Sequence, residues 1–408
     1  MSRKFTCPYC FNTIDASKVY FYCENPDCEQ DDWERTEFEL DRPLINENEV
    51  QSHRTVFQIQ RNFLLNWLRI KPPHDINCPY CQVRTSTRAC PHCHSSFPNG
   101  IDKLSNMIIA IIGDKDTGKS NYIAVLIQRI LDLYDIFDWS LLELDDATVK
   151  LYNKVFYQPL YKDGFAVEVT QSATDEEGEG LVKQPLLYQL SIIKGRKLKS
   201  ITLAFFDTAG EDLRGNPNDD TIKSMEKINR YIKYAAGIIL LLDPLSIEGI
   251  KSQLSENSYS PTVADSNISR EIISRTSTLL FQRFQRNKTI PTPIAITFSK
   301  VDLLENVLTS ESRVYKPSRH QGVFNLNDFN EISGDILGWI NTTNARTLLG
   351  ATKLFQNTAF FGVSALGCDP IQTTEGRRKK LTVPEPRPIR VEDPFLWLLY
   401  KNNFIRRK

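Results

Sequence analysis

The chain carries no net charge. Its 50 basic and 50 acidic side chains cancel over 408 residues, which excludes the strong one-signed field of a protein built to coat nucleic acid. It has no apolar run approaching the roughly 20 residues of a membrane helix. Its first ten residues, MSRKFTCPYC, offer no apolar core for a signal peptide. Beyond residue 100 it has almost no cysteine, because eight of the nine lie before that point. Their spacing is not that of a disulfide-stapled secreted protein, so a reducing cytoplasmic setting is expected.

What is present is ordinary in bulk: 41% apolar and 25% charged residues, as in a soluble globular protein. At this length two or three domains are expected. The stretch that organises them is Gly113-Asp114-Lys115-Asp116-Thr117-Gly118-Lys119-Ser120. The apolar run Met107–Ile112 before it reads as a strand. The segment from Asn121 to Asp132 after it has apolar residues at helical spacing. Strand, Gly-x-x-x-x-Gly-Lys-Ser, helix is a phosphate-binding loop. Gly113 and Gly118 let the backbone wrap a phosphate with its N–H groups turned inward. Lys119 is expected to reach the β- and γ-phosphates and Ser120 to hold Mg2+, with Asn121 opening the helix behind them.

The first hundred residues hold Cys7-Pro-Tyr-Cys10, Cys23, Cys28, Cys78-Pro-Tyr-Cys81 and Cys90-Pro-His-Cys93. Two residues between thiols let both sulfurs face one tetrahedral ion. Two successive sets, Cys7/Cys10/Cys23/Cys28 and Cys78/Cys81/Cys90/Cys93, make two four-cysteine Zn2+ sites; the spacing leaves open a cross-braced pairing with ligands exchanged between the sets. His92 and His94 read as bystanders, since four thiolates already satisfy zinc. No Glu or His is placed to activate water on an open position, so both sites read as structural. The region has 13 acidic against 11 basic side chains, which favours a protein or intramolecular contact over nucleic acid. Between the sets, Glu29–Glu49 carries nine acidic and two basic residues and reads as a solvated loop or edge hairpin.

Downstream, residues 145–161 read as a helix with Val149, Tyr152, Val155 and Phe156 on one side. Residues 164–181 read as a mobile loop, and 185–206 as an antiparallel hairpin that ends at Asp207-Thr-Ala-Gly210. At the carboxyl end of an apolar strand, Asp207 would reach Mg2+ and the Gly210 amide the γ-phosphate. Gly237–Asp243 reads as a buried strand, 263–286 as an amphipathic helix, and Pro293–Phe298 as the strand before Ser299-Lys300-Val301-Asp302. Asp302 there can accept from both N1–H and N2–H2 of guanine, a donor pair adenine lacks, with Lys300 along the base. A last strand, Gln356–Val363, precedes Ser364-Ala365-Leu366, from which a backbone N–H would meet the guanine oxygen. Cys368 reads as a packing residue. Residues 377–408 carry ten basic and three acidic side chains, net +7. They read as a solvated tail around a short helix, 394–404, with a contact to an anionic partner or to Glu29–Glu49 as the alternative.

With GDKDTGKS, DTAG, SKVD and SAL in this order, residues 107–366 resemble a Ras-like GTPase of the translation-factor-related P-loop class. Together with the cysteine module the chain resembles the bacterial double-GTPase family. That resemblance implies an α/β domain with a mainly parallel sheet and one antiparallel strand, preceded by zinc-ribbon modules. It also implies GTP/GDP as ligand, Mg2+ as cofactor, and a place in multi-gene conflict or defence systems. Three residues depart from the pattern. Glu211 stands where such enzymes often carry a water-orienting Gln, and its carboxylate repels an anionic γ-phosphate, so hydrolysis is expected to be slow or to need a partner's arginine. Ser299 replaces the usual Asn, and Asp116 stands where cation-activated relatives carry Asn. The Mg2+-ligating switch threonine is expected at Thr170 or Thr174.

The expected division is a zinc module over 1–100, a GTPase domain over 101–370 and a basic tail over 371–408. The expected activity is a cytoplasmic GTPase switch in which Lys119, Gly210 and Glu211 act on the transferring phosphate. Protein partners are expected, nucleic acid is not favoured, and no membrane segment is present. A GTP-bound scaffold that recruits partners without turnover, an ATP-dependent enzyme, and a nucleic-acid-bound GTPase are the alternatives.

Overall fold

The computed structural model describes residues 4–25, 27–28, 56–58, 73–98, 101, 105–114, 116–167, 185–194, 197–206, 228–246, 268–284, 287–343, 346–375 and 378–408. Among these, seven strands of two or three residues make up the cysteine-rich region: β1 (Lys4–Thr6), β2 (Thr13–Asp15), β3 (Tyr20–Tyr22), β4 (Val56–Phe57), β5 (Ile76–Asn77), β6 (Arg84–Thr85) and β7 (Arg88–Ala89). β1 pairs with β2, β5 with β6, and β3 lies between β4 and β7. Among the described residues the two apolar clusters here hold ten and five buried side chains, seven of them cysteines.

The rest is organised by one sheet. Its strands in chain order are β8 (Ser105–Gly113), β9 (Trp139–Glu143), β10 (Leu186–Lys194), β11 (Lys197–Phe205), β12 (Gly237–Leu242), β13 (Ile294–Phe298) and β14 (Thr358–Gly362). In space the order is β14-β13-β12-β8-β11-β10-β9. The five strands from β14 to β11 run parallel, β10 runs against them, and β9 turns back to their sense. This is the mainly parallel sheet with one antiparallel strand that the motif order implies.

Both faces are covered, which is why β8, β12 and β13 are apolar without alternation. Ile109 and Ile111 point into one core and Ile108, Ala110 and Ile112 into the other. Helix α1 (Lys119–Asp132) follows the phosphate loop on the first face. Helix α2 (Asp146–Leu151) runs on without a break into a π-helical stretch, Tyr152–Lys162. That wider winding puts Tyr152, Phe156 and Leu160, four apart, on the buried side. Val149, assigned to that side by a 3.6-residue period, is exposed instead. Helices α3 (Ile268–Arg283) and α4 (Leu326–Thr342), with helical residues 228–234, cover the second face. Only residues 164–167 of the loop expected at 164–181, and 268–284 of the helix expected at 263–286, are described.

The C-terminal stretch is not a solvated tail. Residues 371–375 and 378–382 form a hairpin, β15 (Ile371–Glu375) and β16 (Arg378–Thr382). Helix α5 (Asp393–Lys401) then buries Phe395, Leu396, Trp397, Leu398 and Leu399 on the α1 face of the sheet. A Cβ at Gly237 would stand 2.7 Å from Leu398 Cδ2, so the start of β12 takes glycine because α5 lies directly on it. Averaging the charge over the tail hid the run Pro-Phe-Leu-Trp-Leu-Leu, which is core.

The basic side chain Arg390 is itself buried. Its guanidinium donates to Asp328 and Asp393, 2.9 Å each, and Asp328 also accepts from Arg313 Nε and, at 3.0 Å, from the Arg319 amide. His320 adjoins Asp393, and its Nδ1 accepts from the Asn325 amide at 2.9 Å. His320, Asp328 and Asp393 have metal-ligand spacing, but Arg390 and Arg313 already supply the cations. Burial pushes the Asp328 carboxyl up, while the hydrogen bonds and charges of Arg390, Arg319 and Arg313 outweigh it and hold the group below its usual range.

Asp328→Ala is expected to cost about 3–5 kcal/mol by removing the buried carboxylate that the Arg390 and Arg313 guanidinium groups share. Because the folded value is depressed, the stabilisation is present above the unfolded value of about 4 and is lost as pH falls through the folded value. Urea midpoints followed from neutral pH down to about pH 3 should therefore fall less steeply for Asp328→Asn than for the parent.

Candidate functional site

The phosphate loop leaves the sheet where β8 meets β12. A Cβ on Gly113 would fall 2.6 Å from the Leu241 carbonyl oxygen and 2.9 Å from Thr117 Oγ1, so no side chain fits there. Asp116 and Gly118 take φ of 62° and 80°, the left-handed turns that fold the loop back on itself. Thr117 Oγ1 closes it by donating to the Asp114 carbonyl at 2.8 Å. Lys119 is 7% exposed and donates through Nζ to the carbonyls of Gly113, 3.0 Å, and Asp114, 2.8 Å. Gly118, at the N-cap of α1, has no side chain to cap the first turn, and no acidic residue stands in that turn. The loop, the uncapped start of α1 and the Lys119 ammonium therefore lie together, an arrangement suited to an anion, and the Ser120 side chain is buried. Asn121 Oδ1 accepts from the Val167 amide at 3.0 Å and ties α1 to the segment after the π-helix. Lys115, Thr170 and Thr174 lie outside the described residues.

β11 runs parallel to β8, pairing Ile201 with Ser105 through to Ala204 with Ile108, so Phe206 leaves the sheet at the same edge as Gly113. Asp207, Gly210 and Glu211 follow Phe206 and lie outside the described residues.

The residues Ser299 to Asp302 stand on the same edge, two strands along. Phe298 is level with Leu242 and Gly362. Ser299 donates to the Leu242 carbonyl from its amide, 2.9 Å, and its hydroxyl, 3.2 Å. Ser299 therefore ties the end of β13 to β12. Lys300, at φ 52°, donates through Nζ to Asp243 Oδ2 at 2.6 Å. Asp302 has one carboxylate oxygen, Oδ1, buried with no protein donor. Burial pushes this carboxyl above its usual range, against a hydrogen bond from Ser364. A bare desolvated acceptor aimed from a strand end fits a ligand that brings its own N–H donors. Of the Ser364–Leu366 amides, that of Ser364 is bonded to the Ile389 carbonyl at 2.9 Å, so a donor to a base would have to be Ala365 or Leu366. Cys368 is half-buried against the core, as a packing residue would be.

Asp243 was not singled out from the sequence. Its signal was available: an acidic residue closing an all-apolar strand, beside the strand that ends in a lysine. The supporting role of Arg387 and Ile389 behind Ser364–Leu366 had no local signal.

The cysteines form two clusters, but not the two sequential sets. Cys7, Cys10, Cys90 and Cys93 come together, as do Cys23, Cys28, Cys78 and Cys81. The cross-braced pairing is the one adopted, because β7 returns beside β3 and carries Cys90 to the first knuckle. Sulfur separations are 3.8 Å for Cys7–Cys93 and Cys10–Cys90, 3.5 Å for Cys23–Cys81 and 3.9 Å for Cys28–Cys78. Four sulfurs about 2.3 Å from a tetrahedral zinc stand about 3.8 Å apart, so both clusters fit the ion.

Three Cys-Pro-x-Cys knuckles share one geometry. The residue after the second cysteine, Phe11, Gln82 or His94, is left-handed and bonds back to the first cysteine's carbonyl at 3.0 Å. The thiols do not titrate alike. Backbone hydrogen bonding from Val83 brings Cys81 down to about 6, and bonds from Cys10, then Cys7 and Cys90, draw Cys93 well below the thiol range. Burial pushes Cys7 and Cys23 up, and the bond with Cys10 pushes Cys90 up. Four crowded thiols resist full ionisation until a cation joins them.

Among known proteins, a profile of the family described as Double-GTPase 2 matches residues 107–335. A 186-residue stretch is 28% identical to a protein of Mycolicibacterium smegmatis provisionally named the ESX-1 scaffolding and assembly protein SaeC, and covers 45% of each chain. The match thus spans less than half the length of that curated relative. Among solved structures, GDP-bound aIF5B from Aeropyrum pernix matches 64% of this chain and 33% of its own, at 14% identity and a TM-score of 0.26. A likeness that loose carries no weight for the site. Among the described residues no helix is long and apolar enough to cross a membrane.

The zinc pairing has a direct consequence. Replacing Cys7 and Cys90 together by serine should remove one of two zinc equivalents, because both belong to one cluster. Loss of both equivalents, counted by metal analysis of the purified protein, would mean the sequential sets are the real ones.

Proposed function

The chain belongs to the Double-GTPase 2 family, and from that premise we propose that it binds and hydrolyses GTP as a molecular switch whose zinc module recognises or transmits the nucleotide state. The observation that carries this reading is the buried, unpartnered Asp302 Oδ1, on the sheet edge that also carries Lys119. The N1–H and N2–H2 edge of guanine supplies the donors that oxygen lacks, and adenine does not. Asp243 holds the Lys300 ammonium so that its stem can lie along the base plane. Loop amides and Lys119 would take the β- and γ-phosphates. Ser120 and Asp207 would hold Mg2+, which supplies charge neutralisation on the transferring phosphate. Gly210 would offer its amide to the γ-phosphate. Glu211, the next residue, is a poor orienter of water and predicts slow intrinsic turnover.

The zinc module spans residues 1–100 in this reading, and the GTPase domain runs from 101 through 370, with the buried helix α5 joined to it. The setting is cytoplasmic. Protein partners are part of the proposal: the relative SaeC carries scaffolding and assembly in its name, and the resemblance to conflict or defence systems points the same way. A second reading, a GTP-bound scaffold with little turnover, draws support from that name and from Glu211.

The test is turnover by the zinc-loaded full chain, given GTP and ATP separately with Mg2+. GTP should be preferred, and Lys119→Ala should lower turnover at least about 100-fold with zinc content unchanged. Asp302→Ala should cut the preference for GTP over ATP by a factor on the order of 100. Unaltered turnover in Lys119→Ala would sink the enzymatic assignment. Equal competition by ATP would remove the guanine reading. GTP retained through long incubation without turnover would establish the scaffold.

A further inference from the structure

The first zinc knuckle is not confined to the metal module. Phe11, which follows Cys10, has no exposed surface, and its ring belongs to the core on the second face of the large sheet. It lies 5.0 Å from the Tyr231 ring and 5.8 Å from Phe206. The Cys10 carbonyl accepts from Arg230 Nε at 3.1 Å, and the Tyr9 hydroxyl donates to Asp145 Oδ2 at 3.1 Å. Three successive residues of one knuckle therefore touch the nucleotide domain.

Tyr231 stands where the sheet forks. β8 is paired with β11 as far as Ile108 and with β12 from Ile109 to Gly113. In the fork the buried Tyr231 hydroxyl donates to the Ile109 carbonyl at 2.6 Å and accepts from the amides of Ile111, 3.1 Å, and Phe206, 3.4 Å. Ile111 is two residues before Gly113, and Phe206 is the residue before Asp207. One hydroxyl thus fixes the distance between the strand that carries the phosphate loop and the strand that delivers Asp207.

We propose that the Cys7/Cys10/Cys90/Cys93 metal site is an effector site for the nucleotide domain, acting through Phe11 and the positioning residue Tyr231; this rests on the guanine-nucleotide reading above. The four thiolates close around zinc and hold the knuckle, and with it Phe11 in its left-handed turn. Four of the ten buried side chains in the described apolar cluster are these thiols, so its order depends on what joins them. Without metal the knuckle loosens, Phe11 leaves its seat, and the Tyr231 ring gains room to swing. The fork then slackens at Ile111 and Phe206. The GTP form suffers more than the GDP form, because the γ-phosphate needs both the loop and the segment beginning at Asp207.

The test uses the full chain and two readouts. Affinities for GDP and for a non-hydrolysable GTP analogue are measured by fluorescence, and hydrogen exchange is followed in the peptide spanning 106–113. Tyr231→Phe keeps the ring and removes the hydroxyl. It should retain both zinc equivalents, weaken the GTP analogue about tenfold while leaving GDP within about twofold, and speed exchange in that peptide. Phe11→Ala should do the same and Phe11→Leu largely restore the parent. Chelation should reproduce the effect in the parent and add little to Phe11→Ala. Unchanged exchange after both Tyr231→Phe and chelation would overturn the coupling. So would equal weakening of both nucleotides together with faster exchange throughout, the mark of a merely structural residue. A parent that binds neither nucleotide, yet shows the exchange response, would retire the GTPase reading and leave the coupling standing.

Discussion

At Ile109 the carbonyl of the central strand is met by a side chain, the hydroxyl of Tyr231, rather than by the next strand alone. The geometry of a phosphate loop requires something of the kind. A loop that wraps an anion needs space at the carboxyl end of its strand, and that space opens only if the neighbouring strand diverges. Divergence removes ladder partners from groups that remain buried, and each buried donor or acceptor left bare costs about 1–3 kcal/mol. A hydroxyl answers this well, since it donates once and accepts twice. Tyr231 uses all three capacities, on Ile109, Ile111 and Phe206. An aliphatic residue of similar size would fill the fork and leave those groups unmet.

The same logic explains why the metal module is seated where it is. A fork held by one ring needs that ring held in turn, and Phe11 and Phe206 pack against it. Phe11 follows directly on a knuckle that the cross-braced cysteines close, so its position depends on them. That pairing joins residues 7–10 to 90–93 and 23–28 to 78–81. Each cluster thus draws two ligands from either end of the module, and neither pair completes a four-thiolate site without the other.

Much of this architecture was legible because the informative segments are buried on both faces and bounded by motifs. Met107–Ile112, Gly237–Asp243 and Pro293–Phe298 could hardly be anything but central strands. The edge strand β9, Trp-Ser-Leu-Leu-Glu, escaped notice because only Trp139 and Leu141 are buried. The π-helix escaped because its winding changes the period by which apolar faces are recognised. Cysteine spacing shows that a knuckle can bind zinc, but which knuckles share an ion is decided by the return of β7 beside β3, a long-range pairing. The departure at Ser299 was visible, but not what the residue does: its amide and hydroxyl both bond to the Leu242 carbonyl and tie the end of β13 to β12.

The C-terminal stretch shows most clearly how charge counting misleads. Its seven excess positive charges suggested solvent, yet the segment from Arg387 to Glu392 runs beneath both halves of the site. Arg387 and Ile389 bond to Leu366 and Ser364, just past β14. Val391 accepts from the Tyr122 hydroxyl at 2.9 Å, and Glu392 from Arg129 at 3.0 Å, both on the phosphate-loop helix. Between these contacts sits Arg390, buried and neutralised by Asp328 and Asp393. A buried ion cluster adds little net stability over an apolar core of equal volume, but it tolerates few alternative arrangements. Placed between the loop after β14 and helix α1, it fixes their spacing. In the proposed reading the fork at Tyr231 sets one dimension of a nucleotide pocket and this cluster sets the other, and neither involves a residue that would touch the nucleotide.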